Sequence, residues 1–260
     1  MFLSLTQDLN NNQVKPLSQF NNHKTLSKVD NIVKLMSNIC PHQNSILTKN
    51  KCDTLVCPYH GLKFSADGVG QDSEYVLDTQ SVYDISGMLF SVPLNFSYPI
   101  DLSSMVLVEE RIDFVKTTPE IFMDVFLDID HIPVAHPGVY DKIGITDISQ
   151  IEYDFFDQGS YQFVYTGDQL TALWTAVYPG TTIEWQQGAL FVNIAVEATD
   201  GIVVTILKYQ DSNYSNMWEL NEQIWEQAWK QDKELCEMII SLPTKNLSKL
   251  KKHHRNAIRK

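Results

Sequence analysis

Two short segments of the chain carry paired metal-binding side chains. Cys40-Pro41-His42 is followed, after 14 residues, by Cys57-Pro58-Tyr59-His60-Gly61. A structural zinc site would use all four ligands on one tetrahedral ion. A two-iron, two-sulfide cluster would place both thiolates on one iron and both imidazoles on the other. Order discriminates between these. Zinc fingers usually present two cysteines and then two histidines, each pair from one segment, whereas here each segment gives one Cys and one His. Two loops lying side by side would each contribute one ligand to each iron. Neutral imidazoles in place of two thiolates raise the reduction potential, which suits a cluster that receives electrons and passes them onward. Cys52, between the loops, has no place in this pattern and reads as a packed or free thiol.

A second constellation lies at Asp128-Ile129-Asp130-His131-Ile132-Pro133-Val134-Ala135-His136-Pro137. Two histidines five apart cannot share one face of an unbroken helix, since five residues advance about 500°. Pro133 removes the objection, because a helix ends or kinks there. Two imidazoles and one carboxylate on one side of an iron leave positions open for dioxygen and substrate. Taken singly, either histidine would read as a hydrogen-bonded core or surface residue. The third ligand should be a distant carboxylate, and Gln231-Asp232-Lys233-Glu234-Leu235-Cys236-Glu237 offers Asp232, Glu234 and Glu237.

These side chains need a framework, and 260 residues suffice for one large domain or two modest ones. Residues 1–30 are rich in Asn, Gln and Ser, with little periodicity. Short strands follow at Ile32–Met36, Leu55-Val56, Leu62–Phe64 and Met88–Val92, separated by turn residues such as Asp67-Gly68 and Gly87. They form a small all-β unit, with a boundary in Pro93–Pro99. Beyond it, alternating Val106, Val108, Glu110 and Ile112 predict a strand. Pro119 opens a helix over Glu120–Asp130. Residues 148–209 read as several strands, and a long helix runs from Ser215 to Leu242. The pattern is α+β, a curved antiparallel sheet with helices against one face, divided into residues 1–95 and 96–260. The basic end, Lys249 to Lys260, reads as a short solvated helix.

Composition narrows the function. Acidic residues outnumber basic ones, 32 to 20, for a formal charge of −12. That balance argues against nucleic acid and against anionic lipid as partners. The start lacks a basic segment and an apolar run, and no apolar stretch reaches membrane-spanning length, so a cytoplasmic protein is expected. Three of the four cysteines cluster beside histidines, which favours metal ligation over disulfides.

Cys57-Pro58-Tyr59-His60-Gly61, with Phe64 and Gly68, resembles the second Rieske loop of ring-hydroxylating oxygenase α subunits and their relatives. The first loop departs from that family, with Gln43-Asn44 where Arg-Gly is usual, and Leu62 stands where Trp is common. Asp128 through His136 resembles the family's Asp-x-x-His-x-x-x-x-His iron segment, with Asp124-Val125 where Glu-Asn is frequent. Residues 231–237 resemble its Glu-Asp-x-x-Leu-Cys-Glu segment. The resemblance implies a Rieske 2Fe-2S domain followed by a helix-grip-type catalytic domain. It implies cluster ligands Cys40, His42, Cys57 and His60, and mononuclear Fe(II) ligands His131, His136 and Asp232. Asp128 would bridge electrons from a neighbouring subunit's cluster, and Asp130 is incidental. It further implies a reductase or ferredoxin donor fed by NAD(P)H, dioxygen and a small organic substrate as reactants, and a homotrimer, because a head-to-tail contact must close.

Hydroxylation or demethylation is the expected reaction. The alternatives are an aromatic-ring dioxygenase α subunit, and an electron carrier or ligand-binding protein with a vestigial iron site. The segment Trp174–Gly180 and Trp185 resembles the sheet of the monooxygenase and N-demethylase branch. Its aromatics would serve either as core or as a cage for a quaternary ammonium group.

Overall fold

The computed structural model describes residues 1–143, 151–241 and 251–253. The chain folds as two compact units, Met1–Ser103 and Ser104–Lys260. The division falls later than the 95/96 boundary read from sequence. The reason is packing: Tyr98 and Leu102 are buried, Tyr98 N donates to Ser86 Oγ at 3.0 Å, and Gln7 Nε2 donates to Leu102 O.

The first unit contains the strands β1 (Phe2–Leu5), β2 (Gln13–Pro16), β3 (Lys24–Val29), β4 (Ile32–Ser37), β5 (Leu55–Val56), β6 (Lys63–Phe64), β7 (Gly70–Gln71), β8 (Thr79–Ser81), β9 (Tyr83–Ile85) and β10 (Met88–Phe90). They form three antiparallel sheets, in the orders β1-β10-β9, β2-β3-β4-β8 and β5-β6-β7. The first thirty residues, without periodicity in sequence, supply three of these strands. Their apolar residues Phe2, Leu3, Leu5, Val14 and Leu26 are all buried. The Asn-rich composition marks turns between very short strands. Asp30 and Asn31, at φ 49° and 62°, close the tight β3–β4 hairpin, for which left-handed backbone at both central residues matches the strand twist.

The second unit contains β11 (Met105–Val115), α1 (Pro119–Phe126), α2 (Ile132–Ala135), β12 (Ile151–Phe156), β13 (Gly159–Thr166), β14 (Gln169–Val177), β15 (Thr181–Gln186), β16 (Ala189–Ala198), β17 (Gly201–Asp211) and α3 (Trp218–Met238). The seven strands form one antiparallel sheet in the order β11-β17-β16-β15-β14-β13-β12. Its inner face packs Ala176, Phe191, Ala195, Val204 and Ile206 against Phe122, Val125, Trp225 and Trp229 of the helices. The Phe191 and Trp225 rings stack at 5.0 Å, and Trp225 and Trp229 at 5.5 Å. Burial of this aromatic area is the main force holding α3 on the sheet.

Helix α1 begins where the sequence places it. Thr118 Oγ1 accepts from Ile121 N at 3.3 Å, and Pro119 occupies the first turn. It ends at Phe126 rather than running to Asp130. A 3-10 turn over Ile129–His131 then leads into the short α2, with Pro133 in its first turn. Proline lacks the N–H an uninterrupted helix would need there, so the chain restarts instead. The C-terminal helix is likewise shorter than expected. A 3-10 segment, Ser212–Met217, precedes α3, which stops at Met238 as Ile239 turns extended. Leu242, the strand start at 148–150, and the basic end apart from 251–253 lie outside the described residues. Among the described residues no helix is long and apolar enough to cross a membrane.

Candidate metal centres

The two N-terminal ligand loops share one backbone pattern. Cys40 N donates to Ser45 O at 2.8 Å and Asn44 N to Cys40 O at 2.9 Å; Cys57 N donates to Leu62 O at 2.8 Å and Gly61 N to Cys57 O at 2.9 Å. Asn44 and Gly61 therefore hold equivalent places, and both have positive φ, 54° and 73°. This accounts for Gln43-Asn44 in the first loop. The turn needs a left-handed residue, and Asn tolerates that conformation best after Gly.

The four side chains sort into two pairs. Cys40 and Cys57 are buried at 0% and 1% exposure within an apolar cluster of Val14, Met36, Leu47, Leu55 and Phe64. His42 and His60 are exposed, their rings 4.8 Å apart. Burial acts to raise the Cys57 thiol, yet it lies below its ordinary value. The backbone N–H groups of Tyr59 and His60, the Cys40 thiol and Ser45 favour the thiolate. Thiols inside and imidazoles outside fit a two-iron cluster with one iron toward the core and one toward the surface. Cys52 has no part in this arrangement; it is half-buried against the same apolar cluster.

In the second unit, His131, His136 and Asp232 are brought together from the α1–α2 break and the middle of α3. His131 Nε2 and His136 Nε2 are 3.1 Å apart, and Asp232 Oδ1 lies 3.3 Å and 2.9 Å from them. The break before Pro133 is what lets two histidines five residues apart converge. Asp232 Oδ1 is buried without hydrogen-bond geometry to either imidazole. Three converging lone-pair donors with such an orphan oxygen fit a divalent metal, and two imidazoles with one carboxylate are the donor set of non-haem iron. His136 Nδ1 is 2.8 Å from Gln231 Oε1; donation to that oxygen fixes the tautomer that turns the Nε2 lone pair toward the other two ligands. Burial opposes both charges. Even so, the carboxylate and Gln231 raise the His136 pKa, and the two imidazoles hold Asp232 below its usual value. Glu234 and Glu237 are exposed on α3, outside this group.

Asp128 precedes the 3-10 turn, and its Oδ2 is 2.6 Å from Lys251 Nζ. A cavity of about 450 Å³ is walled by Asp128, His131 and Lys251 with Val125 and Leu235. Asp130 lies outside the ligand group.

A second gathering of carboxylates, Glu109, Glu222 and Glu226, also lies within 4.8 Å. Its centre is filled by Lys208 Nζ, at 2.6 Å from Glu109 and 3.0 Å from Glu222, while Arg111 pairs with Glu226 at 2.6 Å. This is a charge network in which an ammonium takes the place a cation would need.

Two cavities, of about 350 and 420 Å³, adjoin the triad and share Phe126, Glu184, Trp229 and Asp232 as walls. Trp174, one of the aromatics considered in the sequence, lines the larger one. Trp185 does not, because adjacent strand residues face opposite sides and Glu184 is the inward one. Glu184 carries no motif and was invisible to sequence reasoning. Burial, with nearby Asp232, pushes its carboxyl up to about 8.

Residues 1–82 match the family model of the Rieske [2Fe-2S] domain. No curated protein matches the sequence. Solved structures do. The quaternary ammonium Rieske monooxygenase CntA, in complex with the inhibitor MMV12, aligns with TM-score 0.74 at 14% identity, over 91% of this chain and 76% of that one. CntA in complex with L-carnitine gives 0.69 at 12% identity, over 91% and 76%. Pseudomonas putida CBB5 NdmA gives 0.60 at 15% identity, over 99% and 86%. Likeness at such identities speaks to fold. The chain is thus built as a Rieske [2Fe-2S] domain followed by a domain with the fold of Rieske oxygenase catalytic domains.

Proposed function

We propose that this protein is a terminal oxygenase that uses a Rieske 2Fe-2S cluster and mononuclear Fe(II) to hydroxylate or demethylate a small organic substrate with dioxygen. The observation that carries the reading is the convergence of His131 Nε2, His136 Nε2 and Asp232 Oδ1 beside an aromatic-walled cavity. Cys40, Cys57, His42 and His60 would hold the cluster. When bound, the cluster supplies single electrons and the iron supplies the centre at which dioxygen is activated.

The chain's own contribution is positioning. Gln231 orients His136, Trp225 and Trp229 form a stacked wall beside the ligands, and Tyr140 packs on His136 at 5.5 Å. That wall limits water at the reacting site. The cavity beside the triad is walled by Phe126, Trp174, Trp225 and Trp229. NdmA bound to caffeine and CntA bound to L-carnitine illustrate the substrate size such folds accept. Asp128 is proposed to link the cluster of a neighbouring chain to His131 within a homotrimer, with a reductase or ferredoxin as donor.

The test is metal and acid-labile sulfide content per chain on anaerobically purified protein, with electron paramagnetic resonance after reduction. About three irons and two sulfides per chain are expected. Zinc without sulfide would overturn the reading, and two irons with two sulfides would leave an electron carrier. Asp128→Asn should keep both metals and stop substrate turnover; unchanged turnover would remove Asp128 from the electron path.

A further inference from the structure

The inner face of the second unit's sheet carries polar groups that metal binding does not use. In register across β13, β14 and β15, Gln162, Trp174 and Glu184 stand in one row, and Asn193 of β16 pairs with Thr182 in the next. Both Glu184 and Asn193 line the smaller cavity with Asp232 and Trp229.

Asn193 is 2% exposed. Its Nδ2 donates to Thr182 Oγ1 and to Glu184 Oε1, each at 2.9 Å, so its orientation is fixed from both sides. With the donors used this way, Asn193 Oδ1 is left a buried acceptor with no hydrogen-bond partner. Glu184 is also held by the Trp225 indole. A neutral acceptor without a partner and a half-buried carboxyl group with only part of its capacity used are costly in an apolar cavity. Both costs are offset by one kind of ligand: a cation that donates hydrogen bonds. Trp174, on the wall of the larger cavity beside Glu184, adds an aromatic surface next to the site, whereas the Trp225 ring is already stacked between its neighbours Phe191 and Trp229. Lys233, the one basic residue on the wall of the smaller cavity, turns its Nζ to Asp113 at 2.9 Å and does not fill the position. The neighbouring Gln162 is fully buried with neither amide atom hydrogen-bonded, a second polar group on the same face.

We propose that Glu184 and Asn193 form a recognition subsite for a protonated primary or secondary amine, placed beside the His131, His136 and Asp232 ligand group. The subsite deepens the oxygenase reading and rests on it for the meaning of the amine as substrate. It requires N–H groups, so it differs from a purely aromatic cage, which would accept a quaternary ammonium equally well. The Glu184 carboxyl, giving up its proton, would pair with the ammonium, and Asn193 Oδ1 would accept a second N–H.

The experiment is a titration of tryptophan fluorescence in the purified metal-containing protein, with iron and sulfide assayed on the same sample. Probes are benzylammonium, its neutral isostere benzyl alcohol, and benzyltrimethylammonium. Benzylammonium should bind at least about tenfold more tightly than benzyl alcohol, the worth of one charge-assisted hydrogen bond. Glu184→Gln should abolish that preference, and Glu152→Gln, an exposed carboxylate on β12, should retain it. Equal binding of amine and alcohol by the unaltered protein would overturn the subsite without needing any variant. So would a preference that survives Glu184→Gln, or equal binding of benzyltrimethylammonium, which has no N–H to donate. Iron missing from the sample while the amine preference persists would overturn the oxygenase reading and leave the amine site standing.

Discussion

The two candidate metal centres solve the same problem of placing ligands by opposite means. In the first unit all four candidate ligands come from two short loops, stabilised by the same local hydrogen bonds at Cys40 and at Cys57. The sulfurs are buried and the imidazoles face out. In the second unit the candidate ligands come from distant parts of the chain, and their convergence depends on α3 being held against the sheet by Trp225 and Trp229. Local placement asks little of the neighbouring residues beyond backbone shape, and Asn44 supplies the positive φ the first turn needs. Remote placement makes metal binding depend on the packing of a whole domain.

The largest effect should therefore come from a thiolate. Cys57→Ala removes one of the two buried thiols on the inner side of the proposed cluster. We expect total loss of acid-labile sulfide and of visible cluster absorption, with iron at the triad retained at about one per chain. Loss of both irons together would show that the centres are not independent and would break the contrast. Asp232→Ala should do the reverse. Sulfide should stay unchanged while mononuclear iron falls to near zero after dialysis, since a first ligand matters more than its supporting contacts, themselves worth about 10- to 100-fold. Full iron occupancy would send the assignment to Glu234 or Glu237.

The difference between the centres also explains what could be read in the sequence. Side chains fixed by local loops leave a spacing signature, so Cys40, His42, Cys57 and His60 stand out as candidate ligands from sequence alone. His131 and His136 were legible as a pair because Pro133 announced the break between them. Asp232 needed the family resemblance, because a carboxylate among Glu234 and Glu237 on a helix looks like any solvated face. The strands of residues 1–30 were missed because four-residue strands flanked by Asn turns are too short to display a period. Glu184, Gln162 and Asn193 were missed for a different reason. A polar residue at an inward strand position reads as one exposed residue among others until the sheet assigns it a side.

A smaller effect tests how far placement in the second centre relies on supporting contacts. Gln231→Leu removes the acceptor 2.8 Å from His136 Nδ1 while keeping the side-chain volume on α3. The imidazole then loses the contact that fixes its tautomer and angle. Iron affinity should fall about 10- to 100-fold with the fold unchanged by circular dichroism. Unaltered affinity would mean that packing by Tyr140 and the helix restart are enough to orient the ring, and that the contrast lies in ligand position alone.

The smallest effect is the pH dependence of stability in metal-free protein. His136 is buried, which by itself lowers its pKa, but contact with Asp232 and Gln231 raises it above 6.5 overall. A folded-state pKa above the unfolded one means the folded chain binds the proton more tightly. The contribution to stability is then fully present below about 6.5 and is lost as pH rises through the folded value. Iron reverses the sign, because the metal needs the neutral imidazole and competes with that proton. Thermal unfolding of iron-free protein should thus show a midpoint that declines as pH rises above neutrality. Added Fe(II) should stabilise increasingly over the same range. Parallel pH trends with and without iron would mean that the metal does not displace a proton from His136.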